Sequence, residues 1–311
     1  MLCSVPSTAR SSAVLPAGLT HRPLAPSDAA ATFAVFAAAE EHDTGEVAVE
    51  LEDIESDWQR PSFDLATESV GVFEGDDLVA AGEVYRARRG EASVHPRHRG
   101  RGIGTWLARW TEDCARRRGG SVVGQTAIEG SSAEALFRSL GYREGWTSWV
   151  LEVPEGAAIE PQPLPAGYRL RDFVPGQDDE AAFRVIEDAF NEWPDRQPST
   201  LGDWAARTTQ RSGFAPWQLR LTESPDGDVV GAAFTIHTGD CGYIDQLAVR
   251  ADQRGRGLAR ALLVDAFERA RDSGVTRSEL STDSRTGALP LYEHVGMVVT
   301  KTFRHWMTDL D

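Results

Sequence analysis

Two short stretches combine arginine and glycine in a spacing that suits anion binding. Residues 99–104 read RGRGIG and residues 254–259 read RGRGLA, and a segment of helical spacing follows each. The first turn of a helix has unpaired backbone N–H groups and a partial positive charge, so it binds phosphate readily. Glycine lets a ligand approach the backbone closely, and arginine adds charge. For either copy alone, an exposed turn between a strand and a helix is the alternative.

The composition restricts the kind of anion. The chain has 311 residues, 41% of them hydrophobic, and a formal net charge of -16 at pH 7. Nucleic acids and anionic membranes require a positive footprint, so we expect neither as a partner. A small anionic ligand is expected instead. Lys301 is the only lysine, and no glycine-lysine-serine or glycine-lysine-threonine sequence occurs, which excludes a Walker-type phosphate loop.

Cysteine and histidine spacing gives no sign of a metal centre. Three cysteines lie far apart, without the pattern of a disulfide framework or a zinc site, and the histidines have no ligand spacing. No stretch approaches the length of an apolar membrane span, and the N-terminus lacks a signal-peptide pattern. We therefore expect a cytoplasmic protein without a metal.

The two loops belong to a longer internal repeat. Residues 94–107 align with 249–262 at an offset of 155, and residues 133–142 align with 288–297 at the same offset. Two matches at one offset indicate a duplicated domain. Residues 153–167 contain four prolines and two glycines, which suits an extended linker.

These features predict four segments along the chain. They are a flexible tail over residues 1–20, an N-terminal domain over 21–152, the linker over 153–167 and a C-terminal domain over 168–311.

The elements that position the loops follow the same order in both halves. Residues 227–237 and 241–249 are typical of neighbouring strands joined by a turn at 238–240, and residues 76–87 and 91–94 correspond to them in the first half. A helix and another strand follow each loop. We predict an α/β fold with two tandem domains, each a mixed, mostly antiparallel sheet flanked by helices. A dinucleotide-binding fold is a poor alternative, because G-x-G-x-x-G is absent.

The repeated motifs resemble those of the GNAT superfamily of acyl-CoA-dependent N-acyltransferases. Both loops meet its signature, Arg/Gln-x-x-Gly-x-Gly/Ala. A second motif, Ala-x-x-Leu-Tyr before a glycine pair, is met by Ala288, Leu291 and Tyr292. Two fused copies are similar in architecture to the mycothiol synthase family.

The resemblance implies acetyl-CoA as the cosubstrate and a role for each matched position. Backbone N–H groups of the second loop would hold the pyrophosphate, and the strand before it would pair with the pantetheine arm. Family resemblance also implies a bulge in that strand, which opens a slot for the thioester. The implied cofactor-binding residues are Leu247, Ala248, Val249, Arg254, Gly255, Arg256, Gly257, Leu258 and Ala259, with Val94, Arg99, Gly100, Arg101, Gly102, Ile103 and Gly104 in the first half.

The halves differ at the implied general acid. Tyr292 would protonate the leaving thiolate, although a core tyrosine is the alternative. Phe137 stands at the matching position in the first half and cannot donate a proton. We therefore predict that the C-terminal half catalyses. The first half either binds acetyl-CoA or serves only as a structural partner.

Asp245 is the candidate general base, because the attacking amine must lose a proton. On a regular strand, alternate residues share a face, which would place Asp245 with Tyr243, Leu247 and Val249. A solvated strand carboxylate is the alternative.

Residues 189–204 are expected to cover the acceptor. Their aromatic and acidic members, Trp193, Asp195 and Trp204, would suit a cationic amine. The sequence thus predicts direct acetyl transfer from acetyl-CoA to a small-molecule or peptide primary amine, by a monomer or homodimer. Two alternatives stay open: a non-catalytic acetyl-CoA sensor or scaffold, and a mycothiol-synthase-like enzyme that acetylates a cysteinyl sugar.

Overall fold

The structure is a computed structural model that describes residues 14–157, 160, 163–193 and 196–310. The first half contains β1 (Thr20–Arg22), α1 (Ala29–Thr44), α2 (Leu51–Trp58), α3 (Leu65–Glu68), β2 (Ser69–Glu74), β3 (Asp77–Tyr85), β4 (Arg89–Val94), α4 (Ile103–Arg117), β5 (Val122–Ile128), α5 (Ser132–Ser139) and β6 (Arg143–Glu152). The second half contains β7 (Arg169–Asp172), α6 (Asp179–Phe190), α7 (Leu201–Arg207), β8 (Leu219–Glu223), β9 (Val229–Thr238), β10 (Cys241–Val249), α8 (Leu258–Asp272), β11 (Arg277–Asp283), α9 (Leu289–His294) and β12 (Val298–Asp309).

The described strands form one mixed sheet that runs through both halves. Their order is β1-β2-β3-β4-β5-β12-β6-β11-β10-β9-β8-β7, and most neighbours are antiparallel. Only β4 with β5 and β10 with β11 are parallel pairs among these strands. The predicted α/β class with two similar halves is confirmed.

The helices after the two glycine loops begin and pack alike. Gly102 and Gly257 are their N-cap residues, with φ of 88° and 82°, a conformation that glycine adopts without steric cost. Both helices bury one apolar face on the sheet, with Ile103 and Leu107 in α4 and Leu258 and Leu262 in α8. This burial anchors each helix, so that its N-terminus stays at the end of the preceding strand.

The last strand of each half pairs with the other half. β12 lies between β5 and β6, and β6 lies between β12 and β11. The predicted domain ranges follow the chain, whereas each half of the sheet is completed by a strand from the opposite range. Residues of β6 are therefore placed beside the parallel pair of the second half.

The N-terminal segment differs from the flexible tail that we predicted. Residues 15–18 and 164–167 both read LPAG, at an offset of 149 rather than 155. Leu15 packs against the core of the first half, and Leu164 packs against the matching cluster of the second half. Leu19 is buried and Thr20 begins β1, so the chain is packed from Leu15 onward. Residues 1–13 lie outside the described residues.

Candidate active site

The loop after β10 presents free backbone donors at the start of α8. Gly255 and Gly257 both have positive φ, and the N–H of Ala261 bonds to the carbonyl of Gly257 at 3.0 Å. Among the described residues, the N–H groups from Gly255 to Ala259 have no backbone acceptor in this turn. A Cβ atom built on Gly255 would meet nothing within 4 Å, so the space beside the loop is open. The loop therefore fits an anionic group such as a pyrophosphate.

The side chain of Arg254, a predicted cofactor-binding residue, already has partners in the folded chain. Its guanidinium donates to the carbonyl of Val249 at 3.0 Å and pairs with Glu192 at 2.7 Å. Its own N–H bonds to the carbonyl of Ala251 at 3.4 Å. Arg254 thus ties the end of β10 to the end of α6, and its charge is already compensated. Arg256 is exposed and has no side-chain partner in the described part of the chain, so it can approach an anion.

The first loop has the same shape but less free charge. Arg99 donates to the carbonyl of Val94 at 3.2 Å and pairs with Asp43 at 2.6 Å. Arg101, which matches Arg256, pairs with Glu74 at 2.8 Å. Both arginine side chains of this loop therefore have carboxylate partners before any ligand arrives.

A bulge in β10 opens the sheet in the second half. β10 pairs with β11 from Cys241 to Ile244 only, and its register with β9 shifts at Asp245. Beyond the bulge, β10 keeps its bonds to β9, but no strand in the described part of the chain pairs with its other edge. We call this opening between residues 245–249 and the end of β11 the slot. Unpaired backbone amides along a strand edge can bind an extended ligand that carries amides.

The same bulge corrects the predicted orientation of β10. Gln246 and Ala248 lie opposite Phe234 and Ala232, whereas Tyr243 lies opposite Ile236, on the same face. Leu247 instead joins the cluster of Ile244 on the other face. Our expectation that Tyr243, Leu247 and Val249 share one face is wrong, because the extra residue at Asp245 inverts the alternation.

Tyr292 lies on the α8 face of the slot. It is 9% exposed and packs in one cluster with Leu247 and Leu280, from the two strands that separate. Among the described residues, no group accepts a hydrogen bond from its hydroxyl. Burial raises the pKa of Tyr292 to about 12, so the phenol keeps its proton at neutral pH. Phe137 fills the matching position of the first half, 5.2 Å from the ring of Tyr142.

Asp245 has charged neighbours that come from α2 and from the end of α7. Burial raises the pKa of Asp245, the charge of Arg207 opposes that shift, and Asp53 and Asp57 add to it. Gln246, the next residue, accepts a hydrogen bond from the indole of Trp204 in α7 at 3.0 Å. Asp245 and Tyr292 are therefore associated with opposite faces of the sheet, at the same slot.

The residues that we predicted to cover the acceptor divide into one that lies in the core and one that lies beside Arg285. Trp204 is buried among apolar residues, while Trp193 lies 5.4 Å from the guanidinium of Arg285. Arg285 also stacks on Trp146 of β6 at 3.9 Å. Asp195, the acidic residue that we predicted here, lies outside the described residues. No local motif marks Trp146, which reaches this site only because β6 pairs with β11.

A buried carboxylate near the contact between the halves predicts a pH-dependent stability. Glu83 is 4% exposed and accepts hydrogen bonds from the indole of Trp58 and the hydroxyl of Tyr85. Burial raises the pKa of Glu83 to about 7. The folded state therefore holds this proton more tightly than the unfolded state, so stability falls as pH rises through about 7. Urea unfolding from about pH 5 to about pH 8 should show that loss, and Glu83→Gln should reduce it. The same slope in both proteins would assign the effect to other groups.

Metal-binding side chains do not cluster in the described part of the chain: no three histidine, cysteine, aspartate or glutamate side chains there are placed to hold a metal ion. No helix among these residues has the length and apolar character needed to cross a membrane.

Family models match both halves of the chain. Residues 180–297 match the model described as Acetyltransferase (GNAT) family, and residues 67–144 match an Acetyltransferase (GNAT) domain. The chain is also similar to the mycothiol acetyltransferase of Salinispora tropica, with 33% identity over 217 residues, 66% of this chain and 68% of that protein. The mycothiol acetyltransferase of Thermobispora bispora is 32% identical over 252 residues, 77% of this chain and 81% of that protein.

Solved structures with a similar fold extend along nearly the whole chain. A GCN5-related N-acetyltransferase from Sphaerobacter thermophilus has a TM-score of 0.74 and 32% identity, and the match covers 96% of this chain and 97% of that one. A tandem GNAT protein from the clavulanic acid biosynthesis pathway has a TM-score of 0.70 at 16% identity, over 94% of this chain and 99% of that one, and shows the fold alone. With both loops, both halves and these relatives in agreement, the chain belongs to the GNAT family of acetyltransferases and carries two copies of its domain.

Proposed function

We propose that the second half transfers the acetyl group of acetyl-CoA to a primary amine. The observation that carries the proposal is the slot beside the bulge at Asp245, with Tyr292 on one face and Asp245 associated with the other. The first half has no tyrosine at the matching position, and its β4 pairs with β3 without a bulge. Among the described residues, the acid and the base that we propose therefore lie together in the second half.

The cosubstrate would be held by backbone groups more than by side chains. Acetyl-CoA supplies an activated thioester when it is bound. The N–H groups from Gly255 to Ala259 would donate to its pyrophosphate, with Arg256 adding charge. The free edge of β10 at Leu247 would pair with the amides of its arm.

Two side chains would handle the protons. Asp245 would take a proton from the ammonium group of the acceptor, and its raised pKa makes it a stronger base than an ordinary carboxylate. The neutral amine nitrogen would then form the bond to the acetyl carbon as the bond to sulfur breaks, and its second proton would pass to solvent, which returns a proton to Tyr292. Tyr292 would give its phenolic proton to the departing thiolate, since its pKa keeps that proton in place until then.

The relatives favour a narrower acceptor as a second candidate. Several proteins named mycothiol acetyltransferase are about one-third identical to this chain over two-thirds or more of their length. A cysteinyl sugar of the mycothiol type is accordingly the acceptor to test first. The identity level supports the reaction class more strongly than it supports this acceptor.

Release of free CoA thiol tests the function directly. We expect acetyl-CoA and purified protein to release thiol with one class of amine in a panel of aminoglycosides, polyamines, amino acids, peptide N-termini and a cysteinyl sugar. Mass spectrometry should find the acceptor heavier by one acetyl group. Tight binding of acetyl-CoA without thiol release for any amine would instead favour the sensor or scaffold.

A further inference from the structure

A charged contact joins α2 of the first half to α7 of the second half. The Nε atom of Arg207 lies 2.9 Å from a carboxylate oxygen of Asp57. Asp57 also pairs with Arg60 at 3.4 Å and accepts a hydrogen bond from the hydroxyl of Tyr85 at 3.3 Å. The oxygen that faces Arg207 and Arg60 is buried and accepts no hydrogen bond among the described residues, so these two contacts are ion pairs only. The Arg207 side chain stays 42% exposed and has room to move.

Arg207 is also the main cation acting on Asp245. Burial raises the pKa of Asp245, and the charge of Arg207 is the main influence that lowers it. No ion pair joins the two side chains among the described residues. The second cation nearby, Arg211, is already paired with Asp53 at 2.6 Å and Glu50 at 3.0 Å.

Among the charged groups around Asp245, Arg207 is the one whose position can change. Asp53 and Asp57 repel the carboxylate from α2, and Tyr243 precedes it on its own strand. Arg207 is paired with Asp57, and it lies about one helical turn after Trp204, whose indole donates to Gln246, the neighbour of Asp245.

We infer that Asp57, in the half that lacks the catalytic tyrosine, is a positioning residue for the reaction in the other half: it holds Arg207 and so leaves the carboxylate of Asp245 free to accept a proton. This inference rests on the proposed role of Asp245 as the general base. A carboxylate that is bound in a close ion pair with arginine is a poor proton acceptor, because the charged form is stabilised.

Removing the charge of Asp57 should disable the base through Arg207. In Asp57→Asn, Arg207 loses its partner and can pair with Asp245, and one repelling negative charge also disappears. Both changes lower the pKa of Asp245, so the acid limb of the pH-rate profile should move to lower pH. Removing Arg207 has the opposite sign, because Asp245 then loses its opposing cation and the limb should move to higher pH.

The test compares kcat and its pH profile in four variants, with acetyl-CoA affinity measured for each. Asp57→Asn should lower kcat about 10-fold with an unchanged Kd for acetyl-CoA. Arg207→Gln in the same chain should restore kcat to within about threefold of Arg207→Gln alone, since the competing cation is gone. Asp113→Asn, which breaks a surface pair with Arg116 in α4, is the matched control and should change neither quantity.

A purely structural role for Asp57 predicts a different pattern. The double variant would then be at least as slow as Asp57→Asn, and that result would overturn the inference. If Asp57→Asn fails to fold, Arg207→Gln still decides, because the Arg207 side chain is 42% exposed and its removal must move the limb to higher pH. Asp245→Asn separates the two proposals. A persisting acid limb there would remove Asp245 as the base, whereas loss of the limb without rescue in the double variant would remove only the role of Asp57.

Discussion

Replacing Gly257 with aspartate should abolish acetyl-CoA binding by the second half, with a loss of affinity of about 1000-fold or more. Gly257 is the N-cap of α8 at a φ of 82°, where any other residue is strained. A carboxylate at this point would sit beside the N–H groups from Gly255 to Ala259 and compete with a pyrophosphate for them. Isothermal titration calorimetry measures the affinity and the stoichiometry together.

Two matched variants separate the causes of this loss. Gly257→Ala introduces the backbone strain without the charge, so it should weaken binding much less than the aspartate does. Gly102→Asp makes the same change in the first loop, where Arg99 and Arg101 already have carboxylate partners. We expect Gly102→Asp to leave turnover intact. Full affinity and stoichiometry in Gly257→Asp would place the cofactor elsewhere, and loss of turnover in Gly102→Asp would move the chemistry to the first half.

The local parts of this architecture can be predicted from the sequence. Each glycine loop lies between a strand with a period of two and a helix with a period near 3.6, and each signal is contained within about 15 residues. The hairpins and the helices after the loops follow from such patterns, and the structure has them. The repeat at a constant offset then extends the prediction from one half to the other.

The bulge at Asp245 cannot be predicted from the local sequence. Nothing in residues 241–249 marks the extra residue, which is defined only by their register against β9. The exchange of β6 and β12 is equally invisible, because the two strands occupy matching positions in the repeat and either could complete either half. The partners of Arg254 and Arg207 are also distant in sequence, at Glu192 and Asp57.

These distant contacts bring residues of the first half to the site that we propose in the second. Trp146 of the exchanged strand β6 stacks on Arg285 beside the slot, and Asp57 of α2 pairs with Arg207. The first half has no space for a side chain at the position that matches Asp245. Gly90 stands there, and a Cβ atom on it would collide with Thr111 of α4. With the proposed site, the role of the first half is to build one side of the site of the second half.

Replacing Tyr292 with phenylalanine should lower kcat by about 10- to 1000-fold and leave the Kd for acetyl-CoA nearly unchanged. The phenyl ring keeps the contacts of Tyr292 with Leu247 and Leu280, so folding should be intact, and only the proton donor is lost. A leaving group that departs more easily as an anion needs that proton less. An aryl thioester donor should therefore recover part of the rate in the variant but gain little in the wild type.

Phe137→Tyr tests whether a tyrosine at the matching position of the first half can replace Tyr292. It adds the same hydroxyl to the first half, which has no bulge in β4 and no base at Gly90, so it should restore nothing to a Tyr292→Phe chain. Recovery of turnover in that double variant would show that the first half holds a competent site. Full activity of Tyr292→Phe alone, with normal and activated donors alike, would make Tyr292 a core residue and leave the thiolate to be protonated by water.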